Sequence, residues 1–124
     1  MPGTAERLGL EPHPEGGSFR RTWTSPAADD GRPRATAILF LLATGESSAW
    51  HTVDADELWL WHGPGRLRLQ VGDDVVELGP EHGQALVPAG VRQRAEPVDD
   101  EVLVSCVVSP GFEWAGFTLD RPPA

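Results

Sequence analysis

The chain has 124 residues, enough for one domain with a single hydrophobic core, and its 19 acidic and 10 basic residues give a net charge of −9. This charge argues against a nucleic-acid partner, because binding to a phosphate backbone depends on clustered cations. The sequence contains neither Lys nor Tyr, which excludes a Schiff-base lysine and a phenolic general acid. Proton transfer is therefore left to the histidines, the carboxylates and one cysteine.

That cysteine, Cys106, excludes an internal disulfide. Residues 1–7 lack the apolar segment of a secretion signal, and the longest apolar run, 35–43, is too short to span a bilayer. We therefore expect a cytoplasmic protein without a membrane partner.

In chain order, one helical turn is predicted at 4–10, after which apolar and polar residues alternate in short segments separated by turns rich in Gly, Pro and Asp. Ten strands are predicted, at 18–24, 35–42, 48–52, 57–62, 66–71, 75–78, 84–87, 92–96, 101–108 and 115–119. Many short strands at nearly regular spacing indicate a closed or sandwiched antiparallel sheet. Residues 1–124 are predicted to form one all-β domain.

The segment 35–42 is apolar on both faces. A strand of this kind packs on the core on one side and on another sheet or subunit on the other. We therefore expect a homodimer.

Two segments carry the polar residues of a candidate site. Residues 45–51 end at His51 and precede Glu57, and residues 83–93 end at Gln93. Strand alternation places Trp59 and Trp61 on the same face as Glu57. A histidine, a carboxylate and an amide could thus converge in an aromatic pocket for a small molecule.

Five sequence blocks together resemble the cupin family, and more closely its small uncharacterised DUF985 group. The blocks are PHPEGG at 12–17, WH at 50–51, DADELW at 54–59, VPAGV at 87–91 and SPGFEW at 109–114. The resemblance implies a double-stranded β-helix, or jelly-roll barrel, and subunits that pair through their strands.

Cupins generally hold a divalent metal through two histidines and a glutamate in a first motif and a third histidine in a second. His51 and Glu57 match this pattern, whereas Val53 and Gln93 stand where the other two histidines belong. Because an amide is a poor ligand for transition metals, the remaining set of His51, Glu57 and Gln93 would bind a divalent metal weakly. We therefore expect a pocket without a cofactor.

His51 and Glu57 are the candidate catalytic pair, and Trp59, Trp61 and Gln93 are the candidate ligand-binding residues. A buried acid and base of this kind suit an isomerase, epimerase, cyclase or dehydratase acting on a sugar-like or biosynthetic metabolite. Two alternatives stay open, a non-catalytic ligand-binding cupin and a metal-dependent cupin with the reduced site.

Structural roles for the same residues also stay open. His51 could be a core histidine bonded to Glu57, and the tryptophans could only fill the core. His13 is expected to anchor its loop, and the role of His62 is left open.

Overall fold

The computed structural model describes residues 3–120. These residues form one short α-helix, α1 (Thr4–Leu8), one 3-10 turn (Trp114–Gly116) and eleven strands. The strands are β1 (Glu11–Pro12), β2 (Ser18–Thr24), β3 (Thr36–Leu42), β4 (His51–Val53), β5 (Asp56–Pro64), β6 (Leu67–Val71), β7 (Asp74–Leu78), β8 (Gln84–Val87), β9 (Gln93–Pro97), β10 (Val102–Ser109) and β11 (Phe117–Leu119).

The strands form two antiparallel sheets. One has six strands in the order β1-β2-β3-β10-β5-β8, and the other has five in the order β11-β4-β9-β6-β7. The all-β prediction is confirmed. No helix in residues 3–120 is long and apolar enough to cross a membrane.

The strand bounds differ from the predicted ones where the backbone bonds outside a ladder. The strand predicted at 48–52 begins only at His51, because the N–H groups of Ser48 and Ala49 bond to the carbonyl oxygens of Ala95 and Glu15. The segment predicted at 115–119 begins as the 3-10 turn and becomes extended at Phe117. The two-residue strand β1 was not expected.

One end of the space between the sheets is filled by large apolar side chains. Phe40, Trp59, Leu67, Leu69 and Leu78 are each at most 1% exposed and belong to one cluster. Burying a side chain of this size contributes about 1.5–3 kcal/mol, so this closed end accounts for most of the apolar stabilisation.

Strand β3 lies inside the six-stranded sheet, between β2 and β10. Thr36, Phe40 and Leu42 are buried on its inner face, as the alternation of a half-buried strand requires. Ala37 and Leu39 point to the outer face of the sheet and are partly exposed. The expected subunit contact on this face stays a prediction.

Candidate functional site

The other end of the space between the sheets is hollow. It holds a cavity of about 210 Å³, whose polar lining includes His13, Glu15, His51, Glu57 and Cys106. Phe19, Phe112, Trp114 and Phe117 form an aromatic wall. The volume is below the ~300–1,000 Å³ of pockets for drug-sized ligands, so the cavity suits a small metabolite.

Glu15 reaches the cavity from a tight loop between β1 and β2. Gly16 and Gly17 have φ of 104° and 77°, a region that side chains disfavour. A Cβ on Gly16 would collide with the Ser47 carbonyl, and one on Gly17 would lie 2.7 Å from the Leu41 carbonyl oxygen. The two glycines let the loop pass close to its neighbours and aim the buried Glu15 side chain inward.

The hydrogen bonds of His51 define which of its nitrogens carries the proton. Nδ1 lies 2.7 Å from the carbonyl oxygen of Ala49, an acceptor, so Nδ1 is protonated and donates. Nε2 of the neutral ring therefore has a free lone pair. It lies 3.1 Å from Oε2 of Glu15.

His13 has the opposite tautomer. Its Nδ1 accepts a hydrogen bond of 3.1 Å from the backbone N–H of Glu15, so Nε2 carries the proton. That Nε2–H faces Oε1 of Glu15 at 3.4 Å. The Glu15 carboxyl is thus held between two imidazoles, one that donates to it and one that presents a lone pair.

Burial opposes charge on each of these groups. It raises the pKa of Glu15 well above its ordinary value, helped by the charge of Glu57 and only partly opposed by a hydrogen bond from Ser48. Burial lowers the pKa of His51, and burial and repulsion by His51 lower the pKa of His13 to about 4. An ionised Glu15 would leave its buried Oε2 without a hydrogen-bond donor. A single proton shared by Glu15 Oε2 and His51 Nε2 resolves this.

Glu57 lies on the cavity in a separate network. Gln93 Nε2 donates to Glu57 Oε1 at 2.8 Å, and Gln93 Oε1 accepts from Trp59 Nε1 at 3.0 Å. Burial raises the pKa of Glu57, while its hydrogen bonds with Gln93 and Cys106 oppose that change. The Cys106 thiol, whose pKa burial raises well above its ordinary value, stays protonated and is a donor rather than a nucleophile.

The structure therefore groups the sequence-selected residues differently. His51 contacts Glu15 rather than bonding to Glu57. Gln93 is fully buried under the cavity as the link between Glu57 and Trp59. His62 lies on the outer face of the six-stranded sheet, with Nε2 at 2.6 Å from Ser105 Oγ.

Neither Trp59 nor Trp61 lies on the cavity wall. Trp59 is buried in the closed end, and Trp61 packs against the same cluster while its Nε1 donates to the Gly65 carbonyl. The aromatic wall comes instead from Phe19 of β2 and from the segment 112–117. The aromatic residues of the block 109–114 were the sequence signal for this wall. That block contributed to the resemblance to the cupin family, but the predicted pocket did not include it.

Sequence reasoning also missed Glu15 and the role of His13. Both belong to the PHPEGG block at 12–17, where proline and glycine indicate a loop, and loops usually run over the surface. The pair of glycines after a histidine and a carboxyl group was the available signal, because glycine permits close approach of the backbone.

The residues present do not fit a transition metal at the position that cupins generally use. Both amide atoms of Gln93 are engaged, and both ring nitrogens of His51 face protein oxygens. Within residues 3–120, no three His, Cys, Asp or Glu side chains are arranged to hold a metal ion.

Comparisons with known proteins agree with this architecture. The family described as "Cupin superfamily (DUF985)" matches residues 3–120. The crystal structure of protein SO0799 from Shewanella oneidensis is 34% identical with a TM-score of 0.89, and the match covers 98% of this chain and 86% of that one. A hypothetical protein from Leishmania major is 29% identical with a TM-score of 0.85, over 94% and 85% of the two chains.

A more distant structure supports the fold alone. It is a protein with a double-stranded β-helix domain from Klebsiella pneumoniae, 17% identical with a TM-score of 0.69 over 98% of this chain and 97% of that one. The predicted jelly-roll barrel is thus confirmed. No curated protein gives a significant match.

Proposed function

Because the chain belongs to the DUF985 family of the cupin superfamily, we propose that it is a metal-independent acid/base enzyme that moves a proton on a small carbonyl metabolite. The observation that carries the proposal is the 3.1 Å approach of His51 Nε2 to Glu15 Oε2, a buried oxygen at the cavity with no other hydrogen-bond partner within residues 3–120.

The Glu15–His51 pair can act in both directions. With one proton between them, the two groups can accept a second proton from a substrate C–H or release the one they hold. Catalysis by such groups is most efficient when neither form is strongly disfavoured near the working pH. Burial supports that balance, because it raises the pKa of Glu15 and lowers that of His51.

Glu57 supplies the second acid. Its raised pKa favours the protonated form, which can donate a hydrogen bond to an oxygen that becomes negative during the reaction. An amphoteric pair and a separate acid are what a proton shift next to a carbonyl requires. Isomerases, epimerases, cyclases and dehydratases use such a shift, and the 210 Å³ cavity favours a substrate about the size of a single sugar or a short oxo acid.

Deuterium uptake tests the proposal whatever the product of the reaction is. Small aldoses, ketoses and oxo acids are incubated with protein in D₂O, and mass spectrometry detects exchange at the carbon next to the carbonyl. We expect exchange into at least one compound by the wild type, and a rate about 10²–10⁴-fold lower for Glu15→Gln and His51→Gln. His82→Gln, at an exposed histidine outside the cavity, is the matched control.

Three results would overturn the proposal. Exchange that persists in both site variants excludes the pair. A compound that saturates the protein without exchange or conversion indicates the non-catalytic binding cupin instead. Stoichiometric transition metal in protein purified without chelator, lost in His51→Ala, would establish the metal-dependent alternative.

We also propose that two copies pair through the outer face of the six-stranded sheet. The register aligns one apolar side chain from each of five strands in a row, namely Trp23, Ala37, Val107, Leu58 and Leu86. Trp23 and Leu86 at its ends are 51% and 54% exposed. Because the row has no charged side chain, two chains of net charge −9 could meet there with little repulsion.

Sedimentation velocity at micromolar concentration tests this pairing. We expect a dimer for the wild type and a monomer for Leu58→Arg, in the middle of the row. Val75→Arg, at a 59% exposed position of the other sheet, should remain a dimer. A monomeric wild type would refute the pairing.

A further inference from the structure

Arg21 differs from the other polar residues of the cavity lining because it is a permanent cation. It lies on the inner side of β2, in register with Ile38, which also lines the cavity. Arg21 itself is exposed, so its guanidinium stands where the cavity opens to solvent.

The Arg21 guanidinium has unused donors. Nη2 donates to the Phe112 carbonyl oxygen at 3.2 Å, which orients the group and uses one of its five N–H donors. Within residues 3–120 it forms no ion pair with an acidic side chain. Five other arginines do form such pairs: Arg32, Arg66, Arg68, Arg92 and Arg94.

Among residues 3–120, the other polar side chains of the cavity lining include no permanent cation. Glu15 and Glu57 are buried among them, and the charge of Glu57 raises the pKa of Glu15. A ligand carboxylate placed beside them would add a third acidic group with no cation to balance it. Within a chain of net charge −9, the favourable position for a ligand's negative charge is at Arg21.

The sheet register sets the spacing between these two positions. Arg21 pairs with Ile38 and Ile38 pairs with Cys106, so two strand spacings, roughly 10 Å, separate the backbones of Arg21 and Cys106. Cys106 bonds to Glu57. Arg21 and Glu57 both line the cavity, so a short molecule can place its anion at the first and its reacting carbon near the second.

The wall between the two positions is apolar. Phe112, Trp114 and Phe117 contact one another edge to face, with ring centroids 4.9–5.9 Å apart. Rings in this arrangement offer a flat or apolar ligand a dry surface. They line the cavity beside Arg21 with apolar surface and add no charge.

We propose that Arg21 binds the carboxylate of the substrate, and that the substrate class is a small carbonyl compound that also carries a carboxylate, such as an oxo acid. The inference rests on the proposed function, since it specifies which carbonyl compounds the Glu15–His51 pair meets. Arg21 holds the anion at the mouth and thereby directs the other end of the molecule to the buried acids. Bidentate binding of a carboxylate is the geometry that a guanidinium favours.

A pair of probes that differ only in charge tests the anion subsite. Phenylacetate and its neutral amide are titrated into ¹⁵N-labelled protein, and affinity is read from the shifts of the indole N–H signals. We expect the wild type to prefer phenylacetate, and Arg21→Gln to bind it about tenfold more weakly while binding the amide as before. Arg21→Lys should restore part of the preference.

The neighbouring arginine on the same strand is the matched control. Arg20 points to the other face of the sheet and donates to the Leu8 carbonyl, so Arg20→Gln should keep the preference of the wild type. Equal affinity of the wild type for both probes, no binding of either at millimolar concentration, or an unchanged preference in Arg21→Gln would each overturn the inference.

Deuterium uptake by the Arg21→Gln variant separates this inference from the proposed function. Exchange into neutral sugars alone, unaffected by Arg21→Gln, would overturn the anion subsite and leave the acid/base function intact. A preference for phenylacetate that depends on Arg21, with no exchange into any compound, would support the subsite and refute the acid/base function.

Discussion

The two ends of the barrel are built from the same strands and have opposite contents. On the inner face of β3, Phe40 and Leu42 belong to the packed cluster, whereas Thr36 and Ile38 line the cavity. Strand β10 is divided in the same way. Val104 belongs to the packed cluster, and Cys106 both belongs to that cluster and lines the cavity. A site on continuous strands inherits the rigidity of the core that adjoins it.

The two ends also contribute to the stability of the fold with opposite signs. The closed end buries apolar surface, which stabilises the fold. The open end buries His13, Glu15, His51 and Glu57, whose burial opposes charge and costs stability whenever one of them ionises. The stability that the closed end supplies thus offsets the cost of burying these four polar groups.

The largest expected effect is at the closed end. Leu69→Ala removes a fully buried side chain and leaves a cavity, so the free energy of unfolding should fall by about 2–5 kcal/mol. Urea unfolding measures it. The control Val75→Ala, on the exposed side of β7, should change it by about 0.5 kcal/mol or less. Similar losses in both variants would erase the proposed difference between the two ends.

At the open end, stability should depend on pH through His13. Its pKa falls from 6.5 in the unfolded chain to about 4 in the fold, so the unfolded state binds more protons between these values. The His13 contribution is therefore complete above pH 6.5 and is lost as pH falls towards 4, by about 3 kcal/mol.

Comparison with the His13→Gln variant measures this contribution of His13 to the free energy of unfolding. The free energy of unfolding of the wild type, minus that of the variant, should rise by that amount between pH 4 and pH 6.5. His82→Gln is the matched control at an exposed histidine. A difference that stays constant with pH would show that burial does not oppose the charge of His13.

The smallest effect is expected where the two ends meet. Gln93→Met keeps the size of the side chain but removes its bonds to Trp59 Nε1 and Glu57 Oε1. Leaving these buried groups unpaired should lower the free energy of unfolding by about 1–3 kcal/mol. Loss of the Gln93 donor should also raise the pKa of Glu57 further, since that bond favours the ionised carboxylate.

Gln93→Glu sharpens this test. Glutamate can still accept from Trp59, but it places a second carboxyl group against Glu57. Carboxyl titration by NMR, compared between the two variants, should show the larger upward shift in Gln93→Glu. No shift in either variant would mean that Gln93 does not influence Glu57.

Local pattern was enough to predict most of the fold. Alternation and turn residues located β8 at residues 84–87 and placed Glu57 and Trp59 on the same inner face of β5. Alternation assumes an unbroken ladder, however, and the register between β5 and β10 shifts at Leu103 and Val104. Trp61 pairs with Val104 immediately before that shift, and it is only partly buried and bonds to Gly65.

The site was less predictable, because its central contact depends on tertiary structure. Glu15 and His51 are 36 residues apart in sequence, and Glu15 belongs to no strand. No periodicity places a loop residue inside a barrel. The cavity wall at 112–117 was hard to predict for the same reason. It follows the last long strand and crosses the opening as a turn, so it has no strand alternation.

The loop that carries Glu15 is bonded to the chain segment that leads to His51. The Ala49 N–H donates to the Glu15 carbonyl oxygen at 2.6 Å, and the Ala49 carbonyl accepts from the His51 ring. Ala49 therefore connects the backbone of Glu15 to the side chain of His51. If the opening widens to admit a ligand, these two bonds will keep the Glu15 loop and the His51 ring together.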